Sequence, residues 1–425
     1  MKIHDRYTVE IHDMNIFGNG FCRIDNIAVF VLGAVNGDLC EIEITDVKSN
    51  FSYAVVVNII KPSDMRITPE CVCFEKCGGC TFLHTSPENE NNIKYEYVKN
   101  TFKKNGINAD FEKTVAPVYE KYRNKVVLFY DGKSYGYNEK SSNKVTPHEK
   151  CLLNPELFDR IAAFTAANAG SNQRALFIRK TRKDEITVCP IFRKEPNKNV
   201  LMSYVSSVVN EFPQILGVFY SVNDDKSFAL ENCDIKTLYG TGFVTDTLCG
   251  LDFCVSAKSF YQINSECASL LCEKVVSLTE AESNDVCADL FCGTGTIGLI
   301  LAKRSGAQVY GVEIEKSAVA DAVRNAALNG LKNISYYEGD AAKFDKKVSV
   351  CIVDPPRKGL LPIMTDTILR LLPEKIVYVS CNPDTLARDL KKLAEKYEIS
   401  SPVSIFNMFP RTSHVEALVR LTKRF

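Results

Sequence analysis

The sequence predicts a multidomain α/β fold with a small N-terminal β-barrel, a central α+β domain that carries a cysteine cluster, and a C-terminal Rossmann-like domain. Three observations predict it. The first 60 residues hold short strand-like runs between turn residues, four cysteines fall within residues 71–80, and strands alternate with helices from residue 286 onward. At 425 residues the chain is too long for one typical domain. We place the domains at 1–60, 61–250 and 251–425.

The composition is that of an ordinary globular protein. Charged residues make up 24% of the chain, and 52 basic residues balance 52 acidic ones. This balance neither requires nor excludes a nucleic-acid partner, because binding depends on where the basic residues lie. The sequence has no apolar run of about 18 residues and no signal-peptide core at its start, so we expect a cytoplasmic protein without a membrane partner. No obligate protein partner is evident.

The N-terminal region reads as a β-barrel. Strand-like runs occupy 7–11, 28–31, 39–44 and 53–57, and the Asn-Gly-Asp sequence at 36–38 predicts a hairpin before the third run. The sequences at 18–23 and 35–38 resemble the TRAM domain, an OB-like RNA-binding module. That resemblance implies RNA binding, and a barrel without a nucleic-acid role is the alternative.

Four cysteines occur within ten residues, at Cys71, Cys73, Cys77 and Cys80. The Cys-Gly-Gly-Cys sequence at 77–80 lets two thiolates hold one metal centre while backbone amides approach the sulfurs. In a reducing compartment, such clustering among the 17 cysteines favours metal ligation over disulfides. Zinc would ordinarily need a second close pair, which does not follow. A structural staple is the alternative to a functional metal centre.

The central region gives weaker signals. A helix is predicted over 92–102 and a strand over 126–130. Basic residues are frequent between 179 and 194, with Phe177 and Phe192 nearby. This mixture could hold phosphates and stack bases, and a solvated surface is the alternative.

The C-terminal third shows the alternation of strands, loops and helices that is typical of ligand-binding α/β domains. Residues 286–299 read as strand, glycine loop and helix, and a second strand ends in Glu313, an acid placed to accept hydrogen bonds from ribose hydroxyls. A third strand precedes Asp340, and a fourth leads into Asp354 and two prolines. Dinucleotide binding is the first rival, but its template has no place for an Asp-Pro-Pro sequence after a strand.

Cys381 follows the apolar run 376–379, at the kind of strand end where an open α/β sheet holds reactive groups. A thiolate there could add to a pyrimidine ring and so make the neighbouring carbon nucleophilic. A base must later remove the ring proton so that the cysteine can leave. Glu416, just before the predicted strand 417–421, is a candidate for that base, and His414 is its rival.

Taken together, the sequences at 260–264, 289–295, 354–357, 380–383 and 409–416 resemble the RNA uracil-5-methyltransferase family, which has a class I methyltransferase fold. The resemblance implies that Cys381 is the nucleophile and Glu416 the base. It also implies contacts to S-adenosylmethionine from Gln262, Phe291, Glu313, Asp340 and Asp354. Arg411 stands where a glutamine is expected.

Within that resemblance, the cysteine frame of Cys71, Cys77, Cys80 and Cys151 is similar to the 4Fe–4S frame of one branch of the family, and Cys73 departs from it. The frame and the TRAM-like domain favour a uridine in 23S ribosomal RNA as the substrate. A tRNA uracil-5-methyltransferase is the main alternative. An RNA cytosine-5-methyltransferase is less favoured because no cysteine lies beside Pro355 and Pro356. A non-enzymatic RNA-binding iron–sulfur protein would need neither Cys381 nor Glu416.

Overall fold

The computed structural model describes residues 1–225, 233–258 and 260–424. The N-terminal region is a six-stranded sheet with the order β1-β5-β6-β4-β3-β2. Its strands are β1 (Arg6–Glu10), β2 (Asp13–Met14), β3 (Asn19–Ile24), β4 (Ile27–Leu32), β5 (Leu39–Val47) and β6 (Phe51–Lys61). Alternate side chains of these strands, among them Val29, Val31 and Ile42, are fully buried in one core.

The expected hairpin at residues 36–38 is wrong. The chain does turn there, with Gly37 at φ 88°, but β4 pairs with β3 and β6, whereas β5 pairs with β1 and β6. Asp38 explains the turn, because its carboxylate accepts the backbone N–H groups of Val35 (2.7 Å) and Ser63 (2.9 Å). The turn therefore joins strands that are separated in the sheet.

Helix α1 (Pro87–Lys104) follows the cysteine segment and confirms the helix predicted there. Ser86 caps its first turn by accepting the N–H of Asn89 at 3.2 Å. The buried Val98 and Phe102 join the apolar cluster of the C-terminal sheet. This helix therefore packs against the last third of the chain.

The central region is a seven-stranded sheet with the order β13-β12-β11-β10-β7-β8-β9. Its elements are β7 (Lys125–Tyr130), β8 (Tyr135–Asn138), β9 (Val145–Pro147), α2 (Glu156–Asn168), β10 (Gln173–Lys180), β11 (Ile186–Phe192), α3 (Lys198–Glu211), β12 (Ile215–Val222) and β13 (Lys236–Gly240). Phe177 and Phe192 are fully buried in it, and Arg179 is 2% exposed. The expectation that these rings stack RNA bases is therefore wrong.

The C-terminal region begins with a hairpin and continues as a mixed sheet. Its elements are β14 (Phe243–Leu248), β15 (Leu251–Ser256), α4 (Ser265–Thr279), β16 (Val286–Leu290), α5 (Thr296–Ser305), β17 (Gln308–Glu313), α6 (Lys316–Leu328), β18 (Ile334–Glu338), β19 (Val350–Val353), α7 (Pro362–Leu371), β20 (Lys375–Ser380), α8 (Pro383–Leu393), β21 (Tyr397–Ile399), β22 (Ser404–Phe406) and β23 (Glu416–Lys423). The order is β18-β17-β16-β19-β20-β23-β21, with β22 also paired to β23.

The first five strands of this order are parallel, and β23 runs antiparallel to β20. All four residues of β19 are buried, as expected for a parallel sheet with both faces covered. Among the described residues, no helix combines the length and the apolar character needed to cross a membrane. The structure therefore confirms an open α/β sheet with its parallel strand ends at one edge.

Candidate active site

The candidate residues of the C-terminal region lie at one edge of its sheet. Strands β17, β16, β19 and β20 are parallel neighbours in that order, so their carboxyl ends meet. These ends carry, in the same order, Glu313, Phe291, Asp354 and Cys381. With about 4.8 Å between neighbouring strands, Glu313 and Cys381 are on the order of 14 Å apart. Asp354 therefore lies between Glu313 and Cys381 along this edge.

The glycine loop after β16 holds one of these acids in place. Gly293 and Gly295 have φ values of 54° and 81°, in the region that favours glycine. A Cβ on Gly295 would lie 2.2 Å from Tyr336 Oη, so a larger residue does not fit. The Glu313 carboxylate accepts the N–H of Gly293 at 3.0 Å and that of Ile314 at 2.8 Å. The loop and the acid therefore form one rigid cradle.

Three other candidates surround this cradle. Phe291 adopts φ 70° and is half-buried against the apolar cluster beneath the sheet edge. Asp340 follows β18, is exposed, and accepts the N–H of Ala342 at 2.9 Å. Gln262 is half-buried before α4, and its backbone oxygen accepts a hydrogen bond from Asn124 Nδ2 at 2.8 Å. The last contact ties the Gln262 segment to the central region.

Burial shifts the ionisation of two carboxyl groups here. Asp289 is 1% exposed and accepts the N–H of Gly298 at 2.8 Å. Burial raises its pKa to about 7, and burial raises the pKa of the half-buried Asp354 to about 7 as well. Both groups would ionise more readily beside a cation. Asp289 lies in the motif at 289–295, but the sequence analysis did not predict it to be a site residue.

Cys381 lies between β20 and α8 and is half-buried. Asn382 caps α8 by accepting the N–H of Asp384 at 3.1 Å, and its side-chain amide donates to the backbone oxygen of Arg357 at 3.2 Å. Burial, Glu416 and Asp354 raise the pKa of the Cys381 thiol to about 11, and the Arg357 cation opposes this shift. The thiol therefore sits among groups that control its ionisation.

Glu416 begins β23, and the pairing of Ser380 with Ala417 places it across from Cys381. Burial and the neighbouring Asp354 raise the pKa of its carboxyl group well above the usual range, against the effect of Arg357.

The rival base, His414, has the opposite electrostatic environment. Its ring nitrogen Nε2 lies 3.2 Å from Arg357 Nη2. Burial, Arg357 and Lys94 lower the His414 pKa to about 4. A carboxylate with a raised pKa accepts a proton more strongly than this imidazole, so the geometry favours Glu416.

The predicted metal residues meet in a separate pocket. Cys71, Cys73, Cys77, Cys80 and Cys151 all line it, together with Arg123, Tyr137 and His148. None of these cysteines forms a disulfide, and the Gly79 N–H points at Cys77 Sγ over 3.3 Å. As placed, the described residues include no three His, Cys, Asp or Glu side chains that converge to hold a single metal ion.

Comparisons with known proteins decide the family. Residues 249–424 match the family described as tRNA (Uracil-5-)-methyltransferase, and residues 3–57 match the TRAM domain. An uncharacterized RNA methyltransferase of Listeria innocua is 31% identical over 448 residues, which cover 99% of this chain and 98% of that protein. An uncharacterized RNA methyltransferase of Staphylococcus aureus is also 31% identical, and the match covers 98% of this chain and 97% of that protein. The chain belongs to the RNA uracil-5-methyltransferase family.

A solved structure shows the same architecture. The tRNA (uracil-54, C5)-methyltransferase of Pyrococcus abyssi, in complex with S-adenosyl-L-homocysteine, has a TM-score of 0.80 and 26% identity. The match covers 98% of this chain and 99% of that one. The predicted fold is thus confirmed, with an N-terminal TRAM domain and a C-terminal class I methyltransferase fold. The protein is an S-adenosylmethionine-dependent RNA uracil-5-methyltransferase.

In this methyltransferase a buried charge network supports the loop before Glu416. Glu90 and Lys94 on α1 are fully buried and pair at 2.9 Å. Glu90 Oε1 also accepts the backbone N–H of Arg411 at 2.8 Å and the side-chain amide of Asn407 at 2.8 Å. The Arg411 guanidinium lies 3.5 Å from Glu90 Oε2. The arginine that departs from the expected glutamine is therefore matched by a buried carboxylate.

We expect Glu90→Gln to destabilise the protein by about 3 kcal/mol, because it leaves the Arg411 and Lys94 cations buried without their carboxylate. The double variant Glu90→Gln with Arg411→Gln should recover part of that loss, because Lys94 still lacks its carboxylate. Chemical denaturation with urea measures both effects. Glu96→Gln is the control on the same helix, since its partner Lys99 is exposed and such pairs contribute little. A double variant no more stable than Glu90→Gln would contradict this reading of the network.

Proposed function

We propose that this methyltransferase acts on C5 of a uridine in 23S ribosomal RNA, with Cys381 as the nucleophile and Glu416 as the base. One observation carries the mechanism. The antiparallel pairing of β20 with β23 ends at Ser380 and Ala417, so the adjoining Cys381 and Glu416 face each other. Asp354 follows the neighbouring strand β19.

In the proposed reaction the Cys381 thiolate adds to C6 of the uracil ring, which makes C5 nucleophilic. Bound S-adenosylmethionine supplies an electrophilic methyl group on sulfur. Once C5 carries the methyl group, Glu416 removes the C5 proton, and the C6–S bond breaks to release the thiolate and the product. A raised pKa suits Glu416 to this step, because a base works best when its pKa lies near the operating pH.

We propose that the methyl donor binds at the other end of the same edge. The fixed Glu313 carboxylate would accept hydrogen bonds from the ribose, and the half-buried Phe291 would cover an apolar part of the donor. Asp340 would lie near the adenine. Gln262 and Asp354 would contact the end that carries the sulfur, next to Cys381.

We further propose that Cys71, Cys77, Cys80 and Cys151 hold a 4Fe–4S cluster. The donor set fits such a cluster, because its bridging sulfides let four thiolates surround it without meeting at one atom. The amide of Gly79, directed at Cys77 Sγ, is a contact that stabilises cluster-bound thiolates. The half-buried Arg123 lines the same pocket and would offset their negative charge. When bound, the cluster would brace this segment.

Anaerobically purified protein is expected to contain four irons per chain, and Cys77→Ser should lose most of them. Cys73→Ser is the matched control and should retain iron, since Cys73 lies outside the frame and its thiol donates to the backbone oxygen of Pro147 at 3.6 Å. Elemental analysis and visible absorption measure the outcome. Zinc in place of iron, or equal loss in both variants, would contradict the assignment.

A tRNA substrate is the second candidate, and the Pyrococcus abyssi enzyme favours it. That protein acts on tRNA, and the match to it spans nearly all of this chain, including the TRAM domain. The presence of the TRAM domain therefore does not separate the two substrates. What supports 23S ribosomal RNA is the resemblance of the cysteine frame to the branch that modifies it.

Mass mapping of 5-methyluridine in cells with and without the gene tests the proposal. We expect one or more 23S sites to lose the modification in the deletion strain. Purified protein should then restore it on 23S rRNA from that strain, using S-adenosylmethionine. Intact rRNA methylation beside lost tRNA methylation would refute the 23S assignment, and 5-methylcytosine as the product would refute the uridine.

A further inference from the structure

The loop between β2 and β3 of the TRAM domain presents Phe17 to solvent. Phe17 is 69% exposed, more than any other aromatic residue in the part of the chain that the structure describes. The loop is nonetheless well bonded, because Asn15 Oδ1 accepts the N–H groups of Phe17 (3.0 Å) and Asn19 (3.1 Å). The Gly18 N–H donates to the backbone oxygen of Asn15 at 3.0 Å. The packing of the barrel core does not account for a large ring held outward in this way.

This loop packs against the segment that supports the loop before Glu416. A Cβ built on Gly18 would lie 2.6 Å from Thr81 Cγ2, so the two segments are in close contact. The N–H groups of Thr81 and Phe82 both donate to the backbone oxygen of Arg411, at 2.5 and 3.1 Å. The Phe17 loop is therefore linked through Thr81 to the loop before Glu416.

Other exposed groups lie in the segments that carry the candidate site residues. Phe260, the next most exposed aromatic residue at 65%, lies two residues before Gln262. Arg357 and Lys358 are exposed beside Asp354 and could contact phosphates. Solvent-facing rings and cations are the groups that bind single-stranded RNA.

From this placement we propose that Phe17 stacks on an RNA base next to the target uridine while that uridine occupies the active site. The proposal rests on the function proposed above. A uracil inside a helix or stacked loop must leave its stack before Cys381 can reach C6, and its neighbour then loses a stacking partner. An aromatic side chain on a rigid loop replaces that partner with little loss of its own conformational freedom.

Phe17→Ala should raise the KM for RNA about tenfold, because it removes the stacking contact with the base. The kcat and the KM for S-adenosylmethionine should stay within twofold, and Phe17→Trp should retain wild-type KM. Leu32→Ala is the matched control, because Leu32 is a 52% exposed residue of the same domain on β4. The probes are 23S rRNA and total tRNA purified from the deletion strain, and KM is measured on whichever of them the wild type methylates.

A second measurement does not depend on turnover. Benzoylphenylalanine placed at position 17 of a Cys381→Ala chain should crosslink to that RNA on irradiation, whereas the same group at position 32 should not. An unchanged KM in Phe17→Ala, or no crosslink from position 17 with an active wild-type enzyme, overturns the stacking role alone. A wild-type enzyme that methylates no uridine in either RNA overturns this inference together with the proposed function.

Discussion

Alanine at position 381 is expected to abolish methyl transfer to RNA while leaving the binding of S-adenosylmethionine intact. Without the thiolate no bond forms to C6, and C5 of uracil stays too weak a nucleophile to take the methyl group. We expect a loss of at least about 10⁴-fold in turnover, the scale seen when a covalent nucleophile is removed. Transfer of labelled methyl groups to RNA measures it, and calorimetry with the methyl donor shows whether binding persists.

Cys351→Ala is the matched control for this prediction. Cys351 lies on β19 at the same sheet, fully buried, and is one of the core residues. Its replacement should cost about 1 kcal/mol of stability and leave the activity of the folded protein unchanged. A Cys381→Ala protein with appreciable turnover would refute the nucleophile.

Replacement of Glu416 by glutamine is expected to trap the enzyme on its RNA. Glutamine keeps the shape of the side chain but cannot accept the C5 proton, so the methylated adduct has no route to release Cys381. We expect turnover to fall about 10²- to 10⁴-fold. Most of the protein should migrate with bound RNA on denaturing gels, and nuclease treatment should reverse that shift.

Two further variants make this result specific. His414→Gln should remain within tenfold of the wild type and form no lasting adduct, because the low pKa of His414 makes it a weak base. Glu416→Gln combined with Cys381→Ala should form no adduct at all. Trapping by His414→Gln in place of Glu416→Gln would transfer the role of base to the histidine.

The strand ends of the C-terminal sheet were predictable from the sequence because each candidate residue lies directly beside a strand that a short local pattern reveals. The apolar run before Cys381 is the end of β20, and the acid after residue 312 does end β17. The TRAM domain was recognisable for the same reason. The boundaries at residues 60 and 250, and the roles of the site residues, remain predictions.

Contacts between distant parts of the chain left no such local pattern. Glu90 and Arg411 are 321 residues apart in the sequence. Only the folded chain shows that the Glu90 carboxylate pairs with the buried Arg411 guanidinium. The hairpin predicted at 36–38 was wrong because a local Asn-Gly-Asp sequence indicates a turn but does not determine which strands pair. The prediction that Phe177 and Phe192 stack on RNA bases failed because the basic residues nearby do not reveal that both rings are buried in a core.

The acids that line this sheet edge have a consequence for how the enzyme exchanges spent donor for fresh. Burial raises the pKa of Asp289 and of Asp354 to about 7, and Glu313 and Glu416 lie along the same edge. S-adenosylmethionine carries a positive charge on its sulfur, which disappears when the methyl group leaves. A row of carboxyl groups attracts the charged form and has no such attraction for the neutral one. If the donor binds along this edge, as proposed above, these carboxyl groups would favour the charged donor over its neutral by-product.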